Sequence, residues 1–189
     1  MSSRSSIVRT LSALVMGAAL SLTVAACGGG AASGGGAETG GAEGGLVGKP
    51  APEFTAEAVT GEGPKSVKEA SGKVTIIDFW ATYCGPCKKS FPKYQELVDQ
   101  FGGDLSVIAV SVDEEDTDKA KLEEFVKATG VKFSVVWDKD KSAAKAYSPP
   151  KMPTAFVVDK TGTIRHIHAG YGEGEEDKIA EEIKALIGQ

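Results

Sequence analysis

Two cysteines separated by two residues, Cys84-Gly85-Pro86-Cys87, are the side chains of this sequence best placed to do chemistry. Thiols at this spacing can close into a disulfide and reopen through a mixed disulfide with another molecule. The attacking species is the thiolate, so the question is whether the surroundings favour the anion. An apolar run, Val74-Thr75-Ile76-Ile77-Asp78-Phe79-Trp80, ends shortly before Cys84, and a helical pattern follows it. Cys84 is thereby set at a helix start, near unpaired N–H groups and the positive end of the dipole. Pro86 suits the first turn, where its missing N–H is not needed. Cys87, one turn further in, is placed to resolve a mixed disulfide on Cys84. Two blander readings compete. A structural zinc site needs about four ligands, and no second Cys-x-x-Cys exists. A permanent disulfide across so short a loop would add little stability.

The elements that must position the pair are legible in the pattern of apolar residues. Residues 74–80 are continuous and β-branched, as in a central strand buried on both faces. The helix after them carries Cys87, Phe91, Tyr94, Val98 and Phe101 on one stripe. A second buried strand spans 105–112, and a helix over 118–129 turns Leu122, Phe125 and Val126 inward before Gly130 ends it. A short strand at 134–137, a short helix at 142–147, and a hairpin of 154–159 and 163–169 turning at Lys160-Thr161-Gly162 follow. The last helix has Ile179, Ile183, Leu186 and Ile187 on one side. Strands alternating with helices and then a hairpin predict an α/β fold, a mixed central sheet flanked by helices.

The N-terminal quarter reads differently. Arg4 and Arg9 precede the apolar stretch 11–24, which exits through Ala25 and Ala26 to Cys27. That is the order of an export signal, and it is shorter than the roughly 20 residues a spanning helix needs. Val24-Ala25-Ala26-Cys27 resembles the lipobox of bacterial lipoproteins, which implies lipidation of Cys27 and a membrane anchor; an ordinary cleavage site with an incidental Cys is the alternative. Residues 28–45 hold ten glycines among eighteen residues. Such a segment behaves as a flexible tether, with a typical reach on the order of 23 Å. The predicted organisation is a signal peptide at 1–26, lipidated Cys and tether at 27–45, and a folded domain at 46–189. The net charge of −5 falls further if both arginines are removed with the signal, which argues against nucleic acid as a partner. With three cysteines in all, the chain is not a disulfide-stapled scaffold.

The segment DFWATYCGPCKKSFP resembles the active-site stretch of thioredoxin-fold proteins, and more closely that of the TlpA/ResA-like family of exported, membrane-tethered thiol–disulfide oxidoreductases. The resemblance covers nearly all of residues 48–188. Pro52-Glu53-Phe54 is similar to the family's entry segment, and Pro92 to the helix-kinking proline of thioredoxins. Met152-Pro153-Thr154 resembles the cis-proline loop that faces the cysteines and docks substrate backbone. Trp80 and Tyr83 read most simply as aromatic cover around the cysteine pair, and are taken with that loop as candidate substrate contacts. The stretch from Asp116 to Tyr147 is longer than a plain thioredoxin requires and resembles the TlpA-type αβ insertion. Asp78, six residues before Cys84, stands where thioredoxins carry a buried carboxylate. A charge in such a run is costly unless it has a task or is satisfied by hydrogen bonds. The resemblance implies the task of moving the Cys87 proton. One departure stands out: Ser90 occupies the place, three residues after the second Cys, where ResA-like proteins often have Glu.

The resemblance further implies protein substrates with disulfides, apocytochrome c being the family's best-known one. It also implies a membrane thiol donor of CcdA or DsbD type, an extracytoplasmic location in the periplasm or on the outer cell face, and no cofactor or metal. A thioredoxin-like CGPC suggests a reductant, thioredoxin itself lying near about −270 mV. Two rivals remain open. A peroxiredoxin-like peroxidase would share the fold, but places Thr three residues before its reactive Cys, whereas Thr82 is two before Cys84. A copper-binding assembly factor uses a wider Cys spacing plus a His. Asp113, Glu114, Glu115, Asp116 and Asp118 read as a solvated run capping a helix start. His166 and His168 share one strand face, read as exposed or partner-facing.

Overall fold

The strand Val74–Trp80 (β2) lies at the centre of a six-stranded sheet, which is why all seven of its residues are buried. The computed structural model describes residues 45–188; the expected signal peptide, the lipidated Cys27 and all but the end of the glycine tether lie outside the described residues. β2 pairs in parallel with β3 (Leu105–Ser111) and antiparallel with β5 (Thr154–Val158). β4 (Ser134–Trp137) extends the sheet beyond β3, and β1 (Glu57–Thr60) closes that side antiparallel to β4. On the other side β6 (Ile164–Ala169) pairs with β5, giving the order β1-β4-β3-β2-β5-β6. This is the mixed, helix-flanked sheet that the thioredoxin resemblance implies. The helix Lys119–Thr129 (α2) and β4 supply the αβ insertion expected between Asp116 and Tyr147.

Alternation along β2 divides the core in two. Val74, Ile76 and Trp80 face a layer made by α1 (Cys87–Phe101), α2 and α4 (Glu175–Ile187). Ile77 and Phe79 face the opposite layer, where Phe54, Tyr147 and Phe156 pack edge to face beside α3 (Ser142–Tyr147). Each such side chain, fully buried, contributes roughly 1.5–3 kcal/mol. Asp78 falls by the same alternation on the α1 face, among apolar neighbours. The Tyr147 hydroxyl donates to the Pro52 carbonyl at 2.8 Å, tying the entry segment Pro52-Glu53-Phe54 to that second layer.

Helix ends follow local chemistry. Asp118 caps α2 by accepting from the Ala120 N–H at 3.0 Å, and Gly130 ends it at φ 70°, which glycine adopts without strain. Pro92 sits inside α1 and has no N–H to return to the preceding turn. Among the described residues no helix is long and apolar enough to cross a membrane.

Candidate active site

The chain leaves β2 at Trp80, makes a tight turn through 81–86 and enters α1 at Cys87. Cys84 and Cys87 are joined as a disulfide with Cα atoms 5.3 Å apart, a separation that needs no backbone distortion. Cys87 is fully enclosed, whereas Cys84 keeps 6% of its surface exposed. The Cys87 N–H points at the Cys84 sulfur at 3.2 Å. A donor so placed stabilises a thiolate on Cys84 more than a thiol. One turn on, the buried Ser90 hydroxyl donates to the Cys87 carbonyl at 3.3 Å and brings no charge.

The turn before Cys84 is braced by the carboxylate of Asp113. Asp113 is 2% exposed, not part of a solvated run. Its oxygens accept the Thr82 N–H (3.0 and 3.2 Å), the Thr82 hydroxyl (2.5 Å) and the Ser111 hydroxyl (2.7 Å). Four accepted bonds account for its burial. The Asp113 carbonyl is held in turn by the Trp137 indole N–H at 3.1 Å and by the Lys141 ammonium. Glu114, Glu115 and Asp116 are exposed as expected, and Asp118 is the actual cap.

Trp80 lies inside the fold and not on the substrate side of the turn. It is wholly buried, its ring 5.0 Å from Phe91 and 4.5 Å from Phe125, so it supports the turn from beneath and cannot touch a substrate. Tyr83, next to Cys84 in sequence, is 68% exposed.

Because β5 runs antiparallel to β2, with Thr154 opposite Phe79, its first residues return to the end of the sheet where the cysteines lie. Met152–Pro153 is a cis peptide, as the resemblance implied. The Pro153 carbonyl accepts the Gly170 N–H at 2.7 Å, and the Thr154 hydroxyl donates to the Lys151 carbonyl at 2.6 Å. The Thr154 side chain is therefore occupied in shaping the loop and is buried, leaving main chain and the half-buried Met152 for contact. Close by on β6, His168 is buried, not exposed or partner-facing: its Nδ1 lies 2.6 Å from Glu175 and its Nε2 2.7 Å from Glu182. His166 shares that face and approaches Glu182 at 3.4 Å. The pair pins α4 onto β6, and both ring nitrogens of His168 are engaged.

Asp78 has no exposed surface. Burial holds its carboxyl well above the usual carboxylate range, with the Tyr94 hydroxyl pulling weakly the other way. That hydroxyl stands 3.5 Å from Oδ1, and Oδ2 has no hydrogen-bond partner among the described residues. The geometry thus combines a nucleophile at a helix start, an enclosed second thiol and a buried acid on the face of β2 that α1 covers. Such a set can exchange disulfides and move a proton.

Comparison with known proteins agrees with that chemistry. Residues 47–167 match the model of the AhpC/TSA family. The thiol-disulfide oxidoreductase ResA of Bacillus thuringiensis subsp. konkukian (strain 97-27) is 33% identical over 141 residues, 74% of this chain and 78% of the relative. The thioredoxin-like protein YneN of Bacillus subtilis (strain 168) is 30% identical over 123 residues, 65% and 71% of the two chains. Among solved structures, a Chlorobium tepidum chain described provisionally as the thiol:disulfide interchange protein DsbE superposes with a TM-score of 0.66 at 27% identity, covering 75% of this chain and 97% of the other. StoA from Bacillus subtilis superposes with a TM-score of 0.58 at 26% identity, covering 69% and 96%.

Proposed function

Given that the chain belongs to the AhpC/TSA family and is a thiol–disulfide oxidoreductase of ResA-like kind, we propose that it reduces disulfides of protein substrates on the extracytoplasmic side of a bacterial membrane, anchored by lipid on Cys27. The observation that carries the chemistry is the pairing of a slightly exposed Cys84 with an enclosed Cys87 at the start of α1. In the reduced protein the Cys84 thiolate attacks a substrate disulfide, forming a mixed disulfide and releasing one substrate thiolate. Cys87 then gives its proton to the Asp78 carboxylate and attacks Cys84. The Cys84–Cys87 bond forms, the second substrate thiolate leaves, and two electrons have passed from the protein to the substrate. The cis-proline loop offers main chain to the substrate beside the cysteines, with Tyr83 as a flanking contact. Return to the dithiol requires a thiol donor in the membrane, of the CcdA or DsbD type that the family resemblance implies. Apocytochrome c is one candidate substrate of the required class. The peroxidase alternative is disfavoured because the Thr82 hydroxyl is already committed to Asp113.

The reductive direction is tested by equilibrating the protein with defined thiol–disulfide buffers. The Cys84–Cys87 couple should fall below about −230 mV, toward the roughly −270 mV of thioredoxin. A value near the roughly −120 mV of DsbA would make the protein an oxidant and overturn the assignment.

Anchoring rests on Val24-Ala25-Ala26-Cys27 and the glycine tract after it. Two or more acyl chains on one residue suffice for stable attachment. Expressed in a bacterium, the wild-type chain should sediment with membranes, and Cys27→Ser should be released or left unprocessed. Unchanged size and unchanged sedimentation of Cys27→Ser would remove the lipid anchor from the proposal.

A further inference from the structure

A buried carboxylic acid seldom carries the charge it needs to accept a proton unless something nearby stabilises its anion. Asp78 is enclosed by apolar side chains, and among the described residues Tyr94 is the one side-chain donor within reach of it. Tyr94 lies seven residues after Cys87 on the same buried stripe of α1. Long side chains on a helix lean back toward its N-terminus, which carries the Tyr94 hydroxyl toward the level of Ser90. Ser90 in turn bonds the Cys87 carbonyl. The hydroxyl therefore stands between Asp78 and the turn of α1 that bears Cys87. Ser90 brings no carboxylate to this turn, so a base here depends on Asp78 and its one donor.

Resting on the reading that Asp78 takes the Cys87 proton, we infer that Tyr94 is a positioning residue for this reaction: its hydroxyl donates to the Asp78 carboxylate and makes that buried acid usable as a base. The O–H···O distance of 3.5 Å belongs to the oxidised protein, in which Asp78 has no proton to accept from Cys87. The bond has its function when Asp78 is ionised, because a hydroxyl close to a desolvated carboxylate stabilises the charged form selectively.

The groups around Tyr94 fit a donor that stays protonated. Burial first, then the nearby Asp78 and Tyr171, hold its hydroxyl well above the usual phenol range, while a contact with Ser90 works the other way. From the segment leading into α4, the Tyr171 ring meets Tyr94 edge to face at 6.4 Å, and its own hydroxyl donates to Glu176 at 2.7 Å. Lys93 and Glu96 on α1 form an ion pair at 2.9 Å toward the rim of this cluster. Tyr171 thus spends its hydroxyl on Glu176 and leaves Tyr94 to serve Asp78.

Tyr94→Phe keeps the ring and removes the donor. Two readouts on the purified protein test the role: the titration midpoint of the Asp78 carboxyl, followed by ¹³C NMR, and the rate at which Cys87 resolves a preformed mixed disulfide on Cys84. In Tyr94→Phe the midpoint should rise and resolution at neutral pH should slow about tenfold, the loss shrinking at alkaline pH, while the first attack by Cys84 keeps its rate. Adding Tyr94→Phe to Asp78→Asn should slow resolution no further, since the two act as one unit. Tyr171→Phe, which disturbs the same cluster without touching the Asp78 donor, should leave the Asp78 midpoint in place. An unmoved midpoint in a folded Tyr94→Phe protein, or an equal shift in Tyr171→Phe, would overturn the inference. Normal resolution in Asp78→Asn itself would instead show that Asp78 is not the base, which separates failure of that premise from failure of the role given to Tyr94.

Discussion

Cys84→Ser should eliminate disulfide reduction by several orders of magnitude and capture no substrate, whereas Cys87→Ser should accumulate substrate proteins bound through Cys84. The asymmetry follows from where the fold puts two chemically identical side chains. Cys84 sits in the turn before α1 with a little surface open, and receives the Cys87 N–H at 3.2 Å. That donor and the helix N-terminus both favour its thiolate, which is the attacking species. Cys87 has no exposed surface, and a protein disulfide cannot reach it without unravelling the first turn of the helix. It can reach Cys84, whose Cα is 5.3 Å away. Removing Cys84 therefore removes the first step, and activity falls as it does for any enzyme that loses its nucleophile. Removing Cys87 removes only the second step, and the covalent intermediate persists. Non-reducing electrophoresis of the two variants incubated with an extracytoplasmic protein fraction reads the difference directly. Equal capture by both would mean that access to the pair does not follow the burial just described.

The positions of the two thiols were legible in the sequence because every signal for them is local. The buried run of β2, the Pro86 entry to a helix and the stripe from Cys87 to Phe101 lie within thirty residues and agree with one another. The long-range partners were not legible. Asp113 reads as the first member of a five-acid surface run, yet it is the residue next to a buried strand end and is claimed by Thr82, 31 positions earlier. Its burial is decided by the register of β2 beside β3, which sets Trp80 opposite Ser111. His168 went astray for a similar reason. Alternation correctly put His166 and His168 on one face of β6, but which layer covers that face depends on α4 packing back with Glu175 and Glu182 in place. Trp80 shows a third kind of failure. A strand buried on both faces has no apolar–polar alternation to read, so a tryptophan beside the active-site turn gives no sign of pointing inward, onto Phe91 and Phe125. Tyr94 was placed correctly on the buried stripe, but only the structure shows its hydroxyl beside Asp78.

Asp78→Asn should make the enzyme slower and the fold more stable at neutral pH, two effects with one cause. Asp78 is fully buried, and desolvation holds its carboxyl well above the usual carboxylate range. In the unfolded chain the same group ionises near about 3.9. Below that value it is neutral in both states and does not bias folding. As pH rises from there to its folded value, the unfolded state loses the proton while the native state keeps it, so stability falls by up to about tenfold in the folding equilibrium per pH unit. Above the folded value the loss is complete and constant. Asparagine has no proton to lose, so the advantage of Asp78→Asn should be largest at neutral pH and above, and shrink as the solution is acidified toward pH 4. Urea unfolding of both proteins across that range measures the difference. Part of the gain is offset, because the Asn amide donors would meet the apolar surroundings in which Oδ2 already has no partner among the described residues. The pH dependence of the difference survives that offset, since the amide does not titrate. The kinetic half of the prediction uses the same group as a base. A positioned acid–base group is worth roughly 10²–10⁴-fold, and a loss near the lower end is expected if water slowly takes over as the proton acceptor. The first attack by Cys84 should keep its rate, so the deficit should appear only in resolution by Cys87. A variant that resolves at the normal rate and is less stable at every pH would mark Asp78 as a hydrogen-bonding residue of the core, and the proton of Cys87 would then have to leave by another route.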